Sequence, residues 1–496
     1  MEAGTPPASG QTALVVGGGI SGLLAARELA QAGAAVTLLE ATDSWGGCVG
    51  RHEVAGLTLD SGAESFATRS SAVADLAREL GLAEAIVAPH PGGAWVQLPD
   101  GPRELPKTGV LGIPANPWDP EVRRSLGIAG SLRASLDRVL PSSVGTTADV
   151  ASVSALVHAR MGRRVLTRLV EPVVGGVHSA DPALLDVDMV APGLRAGIAR
   201  HGSLAAAVAA QRRAPAEGAR GAKAGSAVAG LKGGMHTLVS ALVADLRRRG
   251  VQMVAGSRAR SATRTPDGWR IATANGTPGT GTVPTGETYD AGVLVVALDG
   301  PAAVSLLEEA VPALAGHRPG PGPEVKLVTL VVDLPELDRR PRGTGILVAP
   351  QTPGIRAKAL THATAKWDWL AEAAGPGRHV VRLSYGRRDS AASGAEGQGS
   401  HDAAALPDAA LLDLALQDAS ALLTVPVTAE SLVGWDVVSW AGALPFAAVG
   451  HRQRVAEVRR ICGDSRGLVL VGGWLAGNGL AAVVADTRKQ LRGFLE

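Results

Sequence analysis

The chemistry this chain can perform is concentrated in glycine-rich turns rather than in nucleophiles or metal ligands. The first turn, Gly17-Gly18-Gly19-Ile20-Ser21-Gly22, follows an apolar run (Ala13 to Val16), and a second apolar run ends at Glu40-Ala41. Gly17 permits a sharp turn, Gly19 lets backbone approach a pyrophosphate, and Gly22 allows close helix–strand packing. A helix beginning here aims unpaired N–H groups and a partial positive charge at phosphates. Glu40 stands 18 residues beyond Gly22, where its carboxylate can accept from a ribose 2′-OH and would repel a 2′-phosphate. That spacing selects FAD or NAD(H) over NADP(H).

Two further glycine clusters extend the pattern. Gly46-Gly47, before Cys48, and Gly62-Ala63-Glu64-Ser65 offer more backbone to wrap the same dinucleotide. Near the end, an apolar run enters Gly472-Gly473-Trp474 and then Gly477-Asn478-Gly479-Leu480-Ala481. This repeats the opening order of strand, glycine turn and helix start. A second helix end near a flavin pyrimidine would stabilise the anionic reduced form, which favours FAD. Other signatures are missing: there is no His-Glu-x-x-His, Cys-x-x-Cys, Walker loop or Gly-x-Ser-x-Gly elbow. No metal is expected and no catalytic side chain is assigned, so the cofactor must carry the chemistry.

The elements that must position these turns are legible as alternating patterns. A helix is expected after Ser70 or Ser71, with Val73, Leu76 and Leu80 on one face and Gly81 as its stop. From Pro89 to Pro120 the chain is rich in Pro and Gly, and a lobe boundary is placed near residue 95. Residues 121 to 171 read as mainly helical, ending at Pro172 and a loop through His178. His236 to Arg249 is a strong helix; Gly292 to Leu298 and Leu468 to Val471 are buried parallel strands. Residues 324 to 333 and 378 to 385 belong to a separate antiparallel sheet. The expected class is α/β, a Rossmann-like FAD-binding domain with an interleaved α+β substrate-binding domain and a helical insertion. Segments 12–94, 221–310 and 431–496 form the FAD-binding domain, 95–220 the helical insertion and 311–430 the substrate-binding sheet. Met1 to Gln11 is expected to be a tail, and residues 212–230 and 389–405 surface loops.

Composition bounds the partners. Lys+Arg 48 against Asp+Glu 46 is too balanced to make nucleic acid the main partner. Two cysteines suit a reducing, cytoplasmic setting. The uncharged stretch Leu468 to Ala485 holds glycines at its middle, so no transmembrane segment is expected and membrane contact would be peripheral at most.

Read as a whole, the chain resembles the FAD-dependent porphyrinogen oxidases, within the amine oxidase and phytoene desaturase superfamily. The resemblance rests on GGGISGLLAARELAQAGAAVTLLE, Gly46-Gly47, Ser61 to Phe66, Glu171 to His178 with Asp181-Pro182, and Gly233-Gly234-Met235. It continues through Lys358 to Thr361 with Lys366-Trp367, Val449-Gly450-His451 and the closing GGWLAGNGLAAVVADTR. It implies six-electron oxidation of a porphyrinogen, with hydride passing to flavin N5 and O2 reduced to H2O2. A high-Ala, Gly and Arg chain is similar to the members associated with coproporphyrinogen III; protoporphyrinogen IX oxidation is the alternative, and a flavin amine oxidase the next. Alignment places Ala259 at the adenine. A macrocycle with propionates needs aliphatic walls and a basic rim, for which Arg69, Lys107, Lys358 and Lys366 are the candidates. A transfer partner in the haem pathway is also implied.

Overall fold

The computed structural model describes residues 11–107, 109–147, 152–213, 228–275, 285–386, 403–442 and 447–495. Most of the expected loop residues 212–230 and 389–405, and the tail 1–10, lie outside that set.

A five-stranded parallel sheet organises the first lobe, in the order Gln252–Val254, Ala35–Leu39, Thr12–Val16, Val293–Val296 and Leu468–Leu470. Strands from the start, middle and end of the chain therefore lie side by side. Because successive side chains alternate faces, Val15, Leu38, Val295 and Val469 face helices Ile20–Gln31, His236–Arg248 and Leu480–Leu495. Leu14, Leu39, Leu294 and Leu470 face the other layer, with Trp269, helix Gly300–Leu307 and helix His451–Gly463. Both faces are covered, which is why these strands read as unbroken apolar runs.

The second lobe is a seven-stranded sheet in the order Leu432–Ala441, Glu324–Asp333, Arg378–Tyr385, Ala359–His362, Gly345–Val348, Trp95–Leu98 and Gly101–Glu104. Only the pair Gly345–Val348 with Trp95–Leu98 is parallel. One face packs on helix Asp408–Leu423 through Val328, Leu330, Leu360, Val381 and Leu383. Residues of the opposite parity face the first lobe.

This membership moves two expected boundaries. Residues 95–104 belong to the sheet rather than to the helical insertion, and 432–441 belong to it rather than to the FAD-binding domain. The first pair of strands is only four residues each, too short to show a period among prolines and glycines. The long strand Leu432–Ala441 is half exposed, so its alternation is diluted by polar residues.

The helical insertion keeps its own core, from Val110 to Val208. Here the expected stop at Pro172 is not one: Glu171–His178 is helical, with Pro172 in its first turn. The preceding turns, Leu166–Val170, are a π-helix. That wider turn relieves the clash a proline ring makes with the carbonyl four residues back, so the helix passes through the proline. At the centre of this lobe Arg160 and Asp137 are both fully buried as an ion pair. Asp137 also accepts from the amides of Leu204 and Ala205, and Arg160 donates to the carbonyls of Pro141, Val144 and Gly202. Every strong group of the pair is met, and removing one partner strands a buried charge. Asp137→Ala should destabilise this lobe by about 3–5 kcal/mol. Denaturant unfolding followed by circular dichroism checks this; an unchanged midpoint would contradict it.

Candidate active site

The carboxyl ends of three neighbouring strands of the parallel sheet, Thr12–Val16, Val293–Val296 and Leu468–Leu470, converge on one cavity of about 880 Å³. Each is followed by a turn that lines it: Gly19-Ile20-Ser21 after the first strand, Ala297 to Pro301 after the second, and Gly472-Gly473-Trp474 with Gly477 to Leu480 after the third. In open parallel sheets ligands sit outside the carboxyl ends of the strands.

The opening glycines are required in three different ways. A Cβ on Gly22 would lie 1.8 Å from the carbonyl oxygen of Gly17, and one on Gly17, at φ +107°, would meet the Ala297 carbonyl oxygen at 2.6 Å. A Cβ on Gly19 would meet no protein atom within 4 Å, since that position faces open cavity. Packing demands the first two glycines, whereas the third leaves room for a ligand. The second glycine pair zips onto the first: Gly46 N donates to Gly18 O at 2.8 Å. Ala63 N donates to Cys48 O at 2.9 Å, which carries Gly62, Ala63, Glu64 and Ser65 into the same wall.

Glu40 lies beside this turn rather than in the cavity wall. Gly18 N donates to its Oε2 at 2.7 Å and Thr42 N to its Oε1 at 2.8 Å, so its carboxylate is oriented with one Oε2 lone pair still open to a hydroxyl. Ser257 N donates to Glu40 O, which brings the strand carrying Ala259 next to Glu40-Ala41. Gly17, Gly18, Gly22, Glu40, Ala41, Ala259 and Ala481 do not line the cavity themselves; Gly19 to Ser21, Gly46, Gly47, Gly62 to Ser65, Trp474, Gly479 and Leu480 do. The far end is the start of helix Leu480–Leu495, where Val483 N donates to Gly479 O. The described residues therefore offer room at Gly19, a hydroxyl acceptor at Glu40 and a second helix end, a set that fits FAD.

The wall opposite is one face of the second sheet: Val325 and Leu327, Ala359 and Thr361, Arg382 and Ser384, with Trp440 and Ala441. Arg382 was not anticipated. It donates to the carbonyls of Asp60 and Gly62 and pairs with Glu64 at 3.1 Å. Glu64 also pairs with Lys366 at 2.5 Å. Burial pushes the Glu64 carboxyl up, but Lys366 and Arg382 outweigh it and hold the group below its usual range. The signal for Arg382 was present as a charge set between Val380, Val381 and Leu383 in the middle of strand RHVVRLSY, where it shares a face with Ser384.

The four rim cations are dispersed. Lys366 reaches the wall through Glu64. Lys358 is buried, donating to Ser179 Oγ and Gly386 O, so its ammonium is engaged by the protein beneath the wall. Arg69 and Lys107 are exposed and do not line the cavity. Their place at the substrate is not seen in this geometry because both sit on surface segments outside the sheet face.

His178, from the expected loop, and His451, from the Val449-Gly450-His451 motif, both act locally. His451 Nε2 donates to Trp474 O at 2.6 Å, and burial pushes its pKa down. Burial likewise pushes His178 down to about 4, beside Asn478, whose Nδ2 donates to Val177 O. Both rings are neutral at neutral pH and brace the closing turn.

Two lobes, one nucleotide-binding sheet and a covering sheet define a flavoprotein oxidoreductase. The chain matches the flavin-containing amine oxidoreductases over residues 20–486 and belongs to that family. It is 30% identical to a coproporphyrinogen III oxidase of Mycobacterium leprae over 477 residues, 95% of each chain. A Bacillus subtilis protein of the same name is 24% identical over 94% of each. A crystal structure from Exiguobacterium, provisionally named a protoporphyrinogen oxidase, superposes with TM-score 0.75 at 22% identity over 98% of both chains.

Two outcomes follow. Glu40→Ala should weaken FAD retention roughly 10-fold or more, the loss of one charge-assisted hydrogen bond; equilibrium dialysis showing unchanged FAD content would contradict the ribose contact. Glu64 has a depressed folded pKa, so its contribution is fully present above the ordinary carboxyl value of 4.5 and is lost as pH falls through the folded value. Stability measured against pH should therefore fall less steeply below that point in Glu64→Gln than in the parent; parallel curves would contradict the pairing.

Proposed function

We propose that the chain oxidises coproporphyrinogen III to coproporphyrin III, removing six electrons and reducing three O2 to three H2O2. The observation that carries this is the cavity itself: a dinucleotide cradle on one side and, facing it, a mostly apolar sheet face bearing a partly buried cationic cluster. Arg382 and Lys366 against Glu64 leave one net positive charge in that wall, suited to a carboxylate on an otherwise apolar ring. Near-full-length similarity to the mycobacterial enzyme supports the tetra-acid over other porphyrinogens.

FAD bound in the cradle would supply the two-electron acceptor for each of three oxidations. The protein's part is placement. Sheet residues Val325, Leu327, Ala359 and Thr361 present a flat, dry surface that holds a macrocycle against the cofactor side. Arg382 fixes its register through charge, and the apolar wall excludes water from the reacting carbon. Glu64 is committed to two cations and is a poor base, so no proton is routed through it. The reading places the protein in the cytoplasm, handing its product to a later protein of the haem pathway. The alternative substrate, protoporphyrinogen IX, has half as many carboxylates and the same ring.

Porphyrin fluorescence and H2O2 are the readouts with each porphyrinogen. Coproporphyrin should appear with three H2O2 per porphyrin, and faster than protoporphyrin; the reverse preference would favour the alternative, and neither product would remove the reading. Lys366→Met should raise KM about 10-fold while lowering kcat less, because it withdraws a binding charge and no reacting group. Equal loss in both would assign Lys366 a structural role.

A further inference from the structure

Three segments of the covering lobe meet at one imidazole, that of His379. The ring shares its face of the sheet with Val381 and Leu383, the face turned away from the cavity. Strand Ala359–His362 runs directly into helix Ala363–Lys366. That one corner delivers Thr361 to the cavity wall and Lys366 to Glu64. The helix is only four residues long and has no side-chain cap; Trp367 N closes it by donating to Ala363 O at 2.9 Å. So short a helix does not hold itself.

His379 supplies the hold. Its Nδ1 lies 3.0 Å from His362 Nε2 and 3.2 Å from Thr364 Oγ1, the residues on either side of Ala363. Thr364 Oγ1 accepts in turn from Val380 N at 3.2 Å. At the other edge of the ring, Nε2 lies 3.1 Å from Asp338 Oδ1, in the turn Pro335–Arg339. These contacts fix the protons. A carboxylate only accepts, so His379 Nε2 carries the hydrogen and Nδ1 is a lone pair. His362 Nε2–H and the Thr364 hydroxyl both donate to that lone pair. His362 is fully buried, which pushes its pKa down to about 3 and keeps it neutral.

A proton on His379 Nδ1 would set one donor against two. Of the charges facing the ring, Asp338 favours that proton and Arg340 opposes it, while Glu372 and Arg378 line the same cavity of about 330 Å³. Burial outweighs Asp338 and holds His379 below its usual range.

We propose that His379 is a positioning residue for the oxidation: when neutral it holds the corner from Thr361 to Lys366 so that Lys366 stays on Glu64, and protonation releases that corner. The inference rests on the porphyrinogen reading for its kinetic consequence alone. Because the folded pKa lies below the ordinary 6.5, the hold is complete above that value and is lost as pH falls through the folded one.

Hydrogen exchange of residues 359–367 in the FAD-loaded chain, corrected for its intrinsic pH dependence, tests the hold without substrate. Exchange should quicken about 10-fold on the acid side in the parent, and at every pH in His379→Leu. His379→Asn keeps an acceptor where Nδ1 stands but cannot titrate, so it should restore most of the protection and remove the pH dependence. Kinetics with coproporphyrinogen III test the link to Lys366. His379→Leu should raise KM about 10-fold and lower kcat less, yet add nothing in a Lys366→Met background, because both act at one contact. Equal exchange in the parent and His379→Leu would overturn the proposal, as would KM effects that multiply in the double variant. The expected exchange pattern without any porphyrinogen oxidation would leave the hold standing and remove the substrate reading instead.

Discussion

The partly buried cluster of Glu64, Arg382 and Lys366 is the contact on which the rest depends, because it joins the two lobes across the cavity. Glu64 comes from the turn that wraps the dinucleotide site, while Arg382 comes from the covering sheet and Lys366 from the short helix after its strand Ala359–His362. Arg382 adds bonds to two backbone carbonyls of the first lobe, and Trp440 Nε1 donates to Ser61 O at 2.8 Å from the same side. Charges removed from water this far cost several kcal/mol each unless paired. Removing one partner with the lobes closed would therefore leave an uncompensated charge between them. The clasp fixes the gap into which cofactor and substrate must both fit, and its surplus positive charge faces that gap.

The interleaving of the chain follows from the same geometry. Three strands of the parallel sheet come from distant parts of the sequence, and each delivers its following turn to one end of the sheet. The covering sheet and the helical lobe are then necessarily insertions between those returns. The family uses this architecture for several oxidations, so the fold does not decide the substrate. The side of the cavity away from the cradle does, and there the wall is aliphatic with one cationic cluster.

How much of this was legible depends on how strongly each element is patterned. The opening fingerprint, the strand at 293–296 and the closing turn were legible because buried parallel strands are unbroken apolar runs and glycine spacing has a steric cause. The four-residue strands at 95–104 were not, since proline and glycine mask so short a period. The helix over 171–178 was hidden by Pro172, whose usual meaning is cancelled by the π-turn before it. Arg382 was missed because a charge in a core strand signals function only when the facing lobe is known. Lys358 read as a rim cation from its motif, yet its side chain is spent on Ser179 and Gly386.

One cavity presents a porphyrinogen to FAD. Anaerobic mixing of the FAD-loaded protein with coproporphyrinogen III tests it directly, before O2 or later steps intervene. The visible flavin band should bleach, and faster than with protoporphyrinogen IX. A flavin left oxidised by both would contradict it.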